Sequence, residues 1–173
     1  MDDVYFGLGS NVGDRLRFLA DAVRALERTP SLRVVKVSGV YRTEPVGIKD
    51  QADFLNAAVW VQTSLSLHEL RFLVKSIEKQ LGRLERTRWG PREIDIDILM
   101  SARATINEQS LTVPHTEMNN RRFVLQPLAE IAPDAVHPVV HKKIAVLLQE
   151  CVDTNAVERS EELTQKFLSM LKE

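Results

Sequence analysis

Apolar residues recur along this chain at two spacings, and each change of spacing predicts an element. Val4 to Leu8 is a short apolar run, which predicts a strand ending in Gly7-Leu8-Gly9-Ser10-Asn11-Val12-Gly13. Leu16, Leu19, Ala20, Val23 and Leu26 follow at helical spacing, with Asp14 at the start and Pro30 just past the end. Arg33 to Thr43 is valine-rich and reads as one long strand, with Val35, Val37 and Tyr41 on one side and Lys36, Ser38 and Arg42 on the other. Residues 44–53 form a Pro-, Gly- and Asp-containing loop, long enough to serve as a binding loop or lid. In the strand Phe54 to Gln62, Leu55, Ala57, Val59 and Val61 share one face, and Phe54, Asn56 and Ala58 share the other.

Ser66 and Glu69 have the spacing of a capping box, opening a helix to Leu81 with Gly82 as its terminator. Its buried stripe is Leu67, Leu70, Leu73, Val74, Ile77 and Leu81. From Ile94 the period becomes two: Ile94, Ile96 and Ile98 alternate with Asp95 and Asp97. Thr105-Ile106 and Leu111 to Val113 read as short strands across Asn107-Glu108. Helical patterns follow at Pro127 to Ile131, Ile144 to Leu148 and Glu161 to Leu171. The leading order, strand-helix-strand-strand-helix-strand, predicts an α+β ferredoxin-like βαββαβ sandwich with an antiparallel sheet and extra C-terminal helices. No biased linker, repeat or low-complexity stretch divides the chain, so 1–173 reads as one domain.

The stretch Arg83 to Leu99 carries the sharpest chemistry. Arg83, Arg86, Arg88 and Arg92 flank a Trp89-Gly90-Pro91 turn, and the alternation beyond it puts both aspartates on one strand face. Carboxylates about 7 Å apart on a strand repel one another unless a cation lies between them. Such oxygen donors suit Mg²⁺, which takes one or two protein carboxylates and completes its shell with water and phosphate. Guanidinium groups match phosphate oxygens in pairs. The competing reading is an amphipathic edge strand with a solvated acidic face.

Composition narrows the rest. At 173 residues, 44% hydrophobic and 27% charged, the sequence is that of a globular protein with one sizeable core. A formal net charge of −1 argues against bulk binding to nucleic acid or acidic membranes, so any basic function is local. The lone Cys151 fits a reducing compartment. The start lacks a signal-peptide pattern, and no apolar run reaches membrane-spanning length, so a cytoplasmic location is expected.

Four further features carry two readings each. The glycine-rich segment 7–13 lacks G-x-G-x-x-G spacing and a downstream acidic residue, which disfavours a dinucleotide site. A tight turn using positive φ is the plainer reading, with close approach of a ligand to the backbone left open. Asn56 beside Phe54 suits a flat heterocycle, or is an edge asparagine bonded to water. Glu78 lies near a helix C-terminus, where the dipole disfavours acid, so it either faces water or has a partner. His115, after Val113-Pro114, reads as structural on local grounds.

Taken together, Phe6-Gly7-Leu8-Gly9-Ser10-Asn11, Tyr41-Arg42-Thr43, Phe54-Leu55-Asn56-Ala57-Ala58-Val59, Arg88-Trp89-Gly90-Pro91-Arg92 with Asp95-Ile96-Asp97, and Leu111-Thr112-Val113-Pro114-His115 resemble the 6-hydroxymethyl-7,8-dihydropterin pyrophosphokinase family over roughly residues 3–140. That resemblance implies transfer of the β,γ-diphosphate of ATP to the pterin hydroxymethyl group, releasing AMP, in folate biosynthesis. It implies two Mg²⁺ ions held by Asp95 and Asp97, with Arg83 and Arg92 completing the catalytic set. It implies that Phe54 and Phe123 sandwich the pterin while Asn56, Thr43, Glu44 and Val46 read its edge. It assigns Glu78, Trp89, Ile98, His115 and Arg121 to the ATP side. Loops 44–53 and 83–92 would close as lids. Small molecules are the implied partners, and the expected state is a monomer, with a weak dimer as the alternative.

The chain departs from the family pattern in three places. Thr116 stands where tyrosine is frequent, Ser110 where arginine sometimes occurs, and Phe54 where tyrosine is common. The first two remove possible phosphate contacts; the third preserves stacking. Two other function classes fit the sequence less well. A non-catalytic ferredoxin-like module binding a ligand or RNA would want more exposed aromatics and a basic surface than 6% aromatics and a near-neutral charge provide. A pterin-pathway aldolase would need a lysine or tyrosine acid-base pair and no paired carboxylates.

Overall fold

The computed structural model describes residues 1–45, 47–85 and 90–173. Its elements are strand β1 (Asp2–Ser10), helix α1 (Arg15–Glu27), strands β2 (Leu32–Val37), β3 (Val40–Thr43) and β4 (Phe54–Thr63), and helix α2 (Leu67–Gln80). Strands β5 (Asp95–Ser101), β6 (Ile106–Glu108) and β7 (Leu111–Val113) come next. Helices α3 (Arg122–Ile131) and α4 (Ile144–Glu150), strand β8 (Val157–Ser160) and helix α5 (Glu161–Met170) complete the order. The main sheet runs β5-β1-β4-β3-β8, with β2 also paired to β4, and each of these pairings is antiparallel. β6 and β7 form a separate hairpin.

Alternation in β1, β4 and β5 assigns the two faces of the sheet. Phe6 and Leu8, Leu55 to Val61 at odd positions, and Ile94, Ile96 and Ile98 pack on α1, α2 and Phe167 of α5 in one core. The opposite face is covered in part by α3 and α4, where Leu125, Leu128 and Ile144 pack on Tyr5, Ala58, Leu99 and Met100. The uncovered remainder of that second face is where the cleft lies. The α2 capping box forms as its Ser66 and Glu69 predict, and Gly82 takes φ +86 after the helix.

Three expectations change. The strand expected over Arg33 to Thr43 is two strands, broken at Ser38-Gly39, with a register shift between Val34 and Lys36. The shift moves Val34, Val37 and Val40 to the core side and leaves Val35 37% exposed. Ser38 bridges the break: its Oγ accepts from Ala58 N–H at 2.8 Å and its N–H donates to Ala58 O. The helix expected to start at Pro127 starts at Arg122, with Pro127 inside it. Proline removes the donor for the Phe123 carbonyl four residues earlier, and packing of Leu125 and Leu128 outweighs that loss. Finally, β8 was not anticipated, and the two short strands include Asn107 and Glu108. Among the described residues no helix is long and apolar enough to cross a membrane.

Candidate active site

The cleft floor is strand β1, flanked by β5 and β4. Gly7 lies opposite Asp97 on one side and Ala58 on the other; Gly9 lies opposite Asp95 and Asn56. Both glycines sit mid-strand, so the tight turn read at this motif is not where they are; Gly13 alone of the three takes positive φ, at 67°. Their value here is space. A Cβ on Gly9 would come within 3.3 Å of Asn56 Oδ1 and 3.7 Å of Phe54, and one on Gly7 within 3.3 Å of Leu99. Without side chains there, a cleft of about 820 Å³, partly open to solvent, runs from the aspartates to Phe54 and Phe123.

At the polar end, Asp95 and Asp97 share the cleft face, as the strand period predicts. Asp95 Oδ1 accepts from Arg83 Nη1 at 2.7 Å and its Oδ2 pairs with Arg92 Nη1. Burial alone would raise the Asp95 carboxyl, but Arg92 and Arg83 outweigh it and hold the group below the usual carboxylate range. Asp97 has the opposite balance. Burial, and then the charge of Asp95, push it up to about 7.

Glu78 turns out to have partners rather than water. It is buried at 3% exposure, and its Oε1 accepts from Ile96 N–H at 2.8 Å and pairs with Arg83 at 2.5 Å. Its Oε2 accepts from Lys75 Nζ at 2.9 Å. One carboxylate thus ties the last turn of α2 to the strand bearing the aspartates and to Arg83.

At the apolar end, Phe54 at the start of β4 and Phe123 in the first turn of α3 line the cleft, with Thr43, Glu44 and Asn56. Asn56 Nδ2 donates to Thr43 Oγ1 at 2.8 Å, which orients the amide so that Oδ1 faces across Gly9. The buried Asn56 is therefore an acceptor in the part of the cleft that Phe54 and Phe123 also line. The Arg121 guanidinium also lines the cleft, 5.8 Å over the Phe123 ring.

The remaining residues singled out from the sequence fall elsewhere. Ile98 has the opposite parity to the aspartates and its side chain packs in the helix-side core at 6% exposure, so only its backbone could reach the ATP side. His115 does not line the cleft; its N–H donates to Leu99 O at 2.7 Å and its Nδ1 accepts from Glu117 N–H. Burial, with help from Arg121, lowers its imidazole below the ordinary value, which favours the neutral ring. Val46 and Trp89, with Arg86 and Arg88, lie outside the described residues.

Asn11 is a functional candidate that the sequence motif alone does not single out. It is buried, its Nδ2 donates to Gln51 Oε1 at 2.9 Å and Ala52 O at 3.1 Å, and its Oδ1 accepts from Arg92 N–H at 2.8 Å. It thereby joins both loops of the cleft. Its partners are 40 to 81 residues away, so no local pattern could reveal them.

As a donor set, the cleft fits a hard divalent cation bound with phosphate. Among the described residues no group of three or more His, Cys, Asp or Glu side chains converges. One or two carboxylates are nonetheless what Mg²⁺ commonly takes from protein, and Asp95 and Asp97 share the cleft face.

A family model described as 7,8-dihydro-6-hydroxymethylpterin-pyrophosphokinase (HPPK) matches residues 5–133. A 2-amino-4-hydroxy-6-hydroxymethyldihydropteridine pyrophosphokinase of Methylorubrum extorquens is 52% identical over 136 residues, 79% of this chain and 86% of the relative. Its counterpart in Bacillus subtilis is 51% identical over 127 residues, 73% and 76% of the two chains. The bifunctional protein FolKE of Lactococcus lactis is 35% identical over all of this chain, which spans 50% of that relative. Among solved structures, the wild-type HPPK-DHPS of Plasmodium falciparum aligns with a TM-score of 0.68 at 16% identity, covering 86% of this chain and 44% of that one. At that identity the likeness speaks for the fold, a mixed α/β architecture with an antiparallel sheet. The extent of the family match and the identity of these relatives settle membership: the chain belongs to the 7,8-dihydro-6-hydroxymethylpterin-pyrophosphokinase family.

Proposed function

We propose that this cleft performs the family's reaction as a single pyrophosphokinase domain of ferredoxin-like βαββαβ topology. The protein transfers the diphosphate of ATP to the hydroxymethyl group of 6-hydroxymethyl-7,8-dihydropterin in folate biosynthesis, giving AMP and the pterin diphosphate. The observation that carries the assignment of residues is the placement of Asp95 and Asp97 on one cleft face with Asn56, across the bare backbone of Gly7 and Gly9. The strand order β5-β1-β4, with β2 and β3 beyond, supports the ferredoxin-like reading.

The pterin ring fits the slot between Phe54 and Phe123, where Asn56 Oδ1 can accept from an N–H on its edge. That leaves the hydroxymethyl arm directed along β1 toward the aspartates. Asp95 and Asp97 would hold two Mg²⁺ ions, which supply charge neutralisation to the triphosphate when bound. Arg83 and Arg92 sit on Asp95 in the free protein and would transfer to phosphate oxygens, whose paired geometry their guanidiniums match. Arg121, above Phe123, adds positive charge where the two substrates meet. The pterin hydroxyl oxygen forms a bond to the β-phosphorus, the bond from that phosphorus to the oxygen leading to the α-phosphate breaks with its electron pair leaving on AMP, and the hydroxyl proton passes to solvent. Positioning and charge stabilisation carry such a reaction. Loops 44–53 and 83–92 would close over it and keep out water. A monomer working in the cytoplasm fits these small-molecule substrates.

Incubation with ATP, Mg²⁺ and the hydroxymethyl pterin tests the reading. Stoichiometric AMP and pterin diphosphate are expected; ADP, or no turnover, would overturn it.

A further inference from the structure

Residues 134–173 follow the stretch matched by the family model, yet they are joined to the cleft at two points. Val157 of β8 pairs with Thr43 of β3, the residue that orients Asn56. Four residues earlier, Asp153 meets the start of α3. Helix α3 has no side-chain cap from its own N-terminal residue, Arg121. The N–H of Arg122, one of the four donors a helix start leaves unsatisfied, instead donates to Asp153 Oδ2 at 2.9 Å. Arg122 grips back: its Nε donates to Asp153 O at 2.9 Å and its Nη2 to Cys151 O. Asp153 Oδ1 is held in turn by the N–H and Nδ2 of Asn155, at 3.0 and 2.7 Å.

The turn capped in this way carries Arg121, Phe123 and Val124 into the cleft. A carboxylate at a helix N-terminus both accepts the orphan N–H and favours the positive end of the helix dipole. We propose that Asp153 is a positioning residue for pterin binding, acting from outside the matched stretch by fixing the first turn of α3 and so the angle of the Phe123 ring. The proposal rests on the assignment of Phe123 to the pterin slot made above. Asp153 touches no substrate. Its effect is to narrow the range of ring poses, which lowers the ordering cost of binding a flat ligand.

The test uses the full chain with Asp153→Ala and Asp153→Asn, measuring the KM for each substrate, kcat and Tm. Loss of a cap of this kind predicts that Asp153→Ala raises the pterin KM about fivefold, with kcat and the ATP KM within about twofold of wild type. Asp153→Asn keeps an acceptor oxygen and recovers most of that loss. An unchanged pterin KM in Asp153→Ala overturns the proposal. So does an equal rise in both KM values with a matching fall in kcat and Tm, or a failure to fold, since either marks general stability rather than pose. If the wild-type chain itself makes no AMP, the functional reading fails; if it makes AMP and only this pattern is missing, the inference about Asp153 fails alone.

Discussion

Asn11 and Arg92 are bonded twice: Asn11 N–H donates to Arg92 O at 3.0 Å, and Arg92 N–H donates to Asn11 Oδ1 at 2.8 Å. Because Asn11 Nδ2 also holds Gln51 and Ala52, a single buried amide at the end of β1 links the loop of the arginines to the loop between β3 and β4. The two loops therefore share an anchor and are expected to order together.

Asn11→Ala removes three side-chain bonds, each worth roughly 1 kcal/mol. A fall in kcat/KM of about tenfold or more is expected for both substrates, together with faster hydrogen exchange in both loops. Unchanged exchange in either loop would show that the two are anchored independently.

Gly9→Ala places a methyl 3.3 Å from Asn56 Oδ1 at the floor of the slot. Binding of the pterin, measured by titration of its fluorescence, should weaken markedly while ATP binding changes little. Equal weakening of both would mean that the slot is not where the pterin binds.

Asp95→Ala and Asp97→Ala should each lower AMP formation by at least about a hundredfold, the order expected when a group stabilising transition-state charge is lost. Near-normal turnover in both variants would reduce the pair to a solvated acidic edge.

Glu78→Ala removes the acceptor of Ile96 N–H and one acceptor of the Arg83 guanidinium. Arg83 keeps Asp95 as its partner, so the main cost is the buried Ile96 N–H left without its acceptor, about 1–3 kcal/mol, which should appear as a drop in denaturation midpoint. Glu78→Gln keeps an acceptor for Ile96 and should cost less. A Glu78→Ala variant as stable as wild type would refute the role of this carboxylate as a tie between α2 and β5.

His137 is buried at 4% exposure, and its Nδ1 accepts from the N–H groups of Val139 and Val140. Burial, with His141 adding to it, lowers its imidazole below the ordinary 6.5. A lowered histidine means that the unfolded chain binds more protons than the folded one below that value. Its contribution is thus present above about pH 6.5 and lost as the pH falls toward the folded value. His137→Asn should flatten that part of the stability curve; an unaltered slope between pH 6.5 and 5 would count against it.

Much of this arrangement was legible in the residues where pairing is regular. Asp95 and Asp97 could be assigned a face because β5 alternates without interruption through Ile98. The faces of 33–43 were misread because a register shift at Val34–Lys36 and the break at Ser38-Gly39 leave no mark in a count of alternate positions. Val157–Ser160 escaped notice as a strand because four half-exposed residues, V-E-R-S, carry no apolar period. Asn11, Glu78 and Asp153 act through partners distant in sequence, and local pattern is blind to such bonds.

The bond from Ile96 N–H to Glu78 has a second consequence, because β5 ends the sheet. An outer strand offers unpaired amide and carbonyl groups on which a foreign strand can nucleate, the usual start of sheet-to-sheet aggregation. Here the α2 carboxylate occupies the Ile96 amide, and the His115 N–H occupies the Leu99 carbonyl. Two of the outward groups of the strand that presents the aspartates are thereby taken up without a neighbouring strand. At the other end, β8 is short and carries Glu158 and Arg159, a charged margin unsuited to extension. Loss of Glu78 would thus expose the protein to self-association as well as to unfolding.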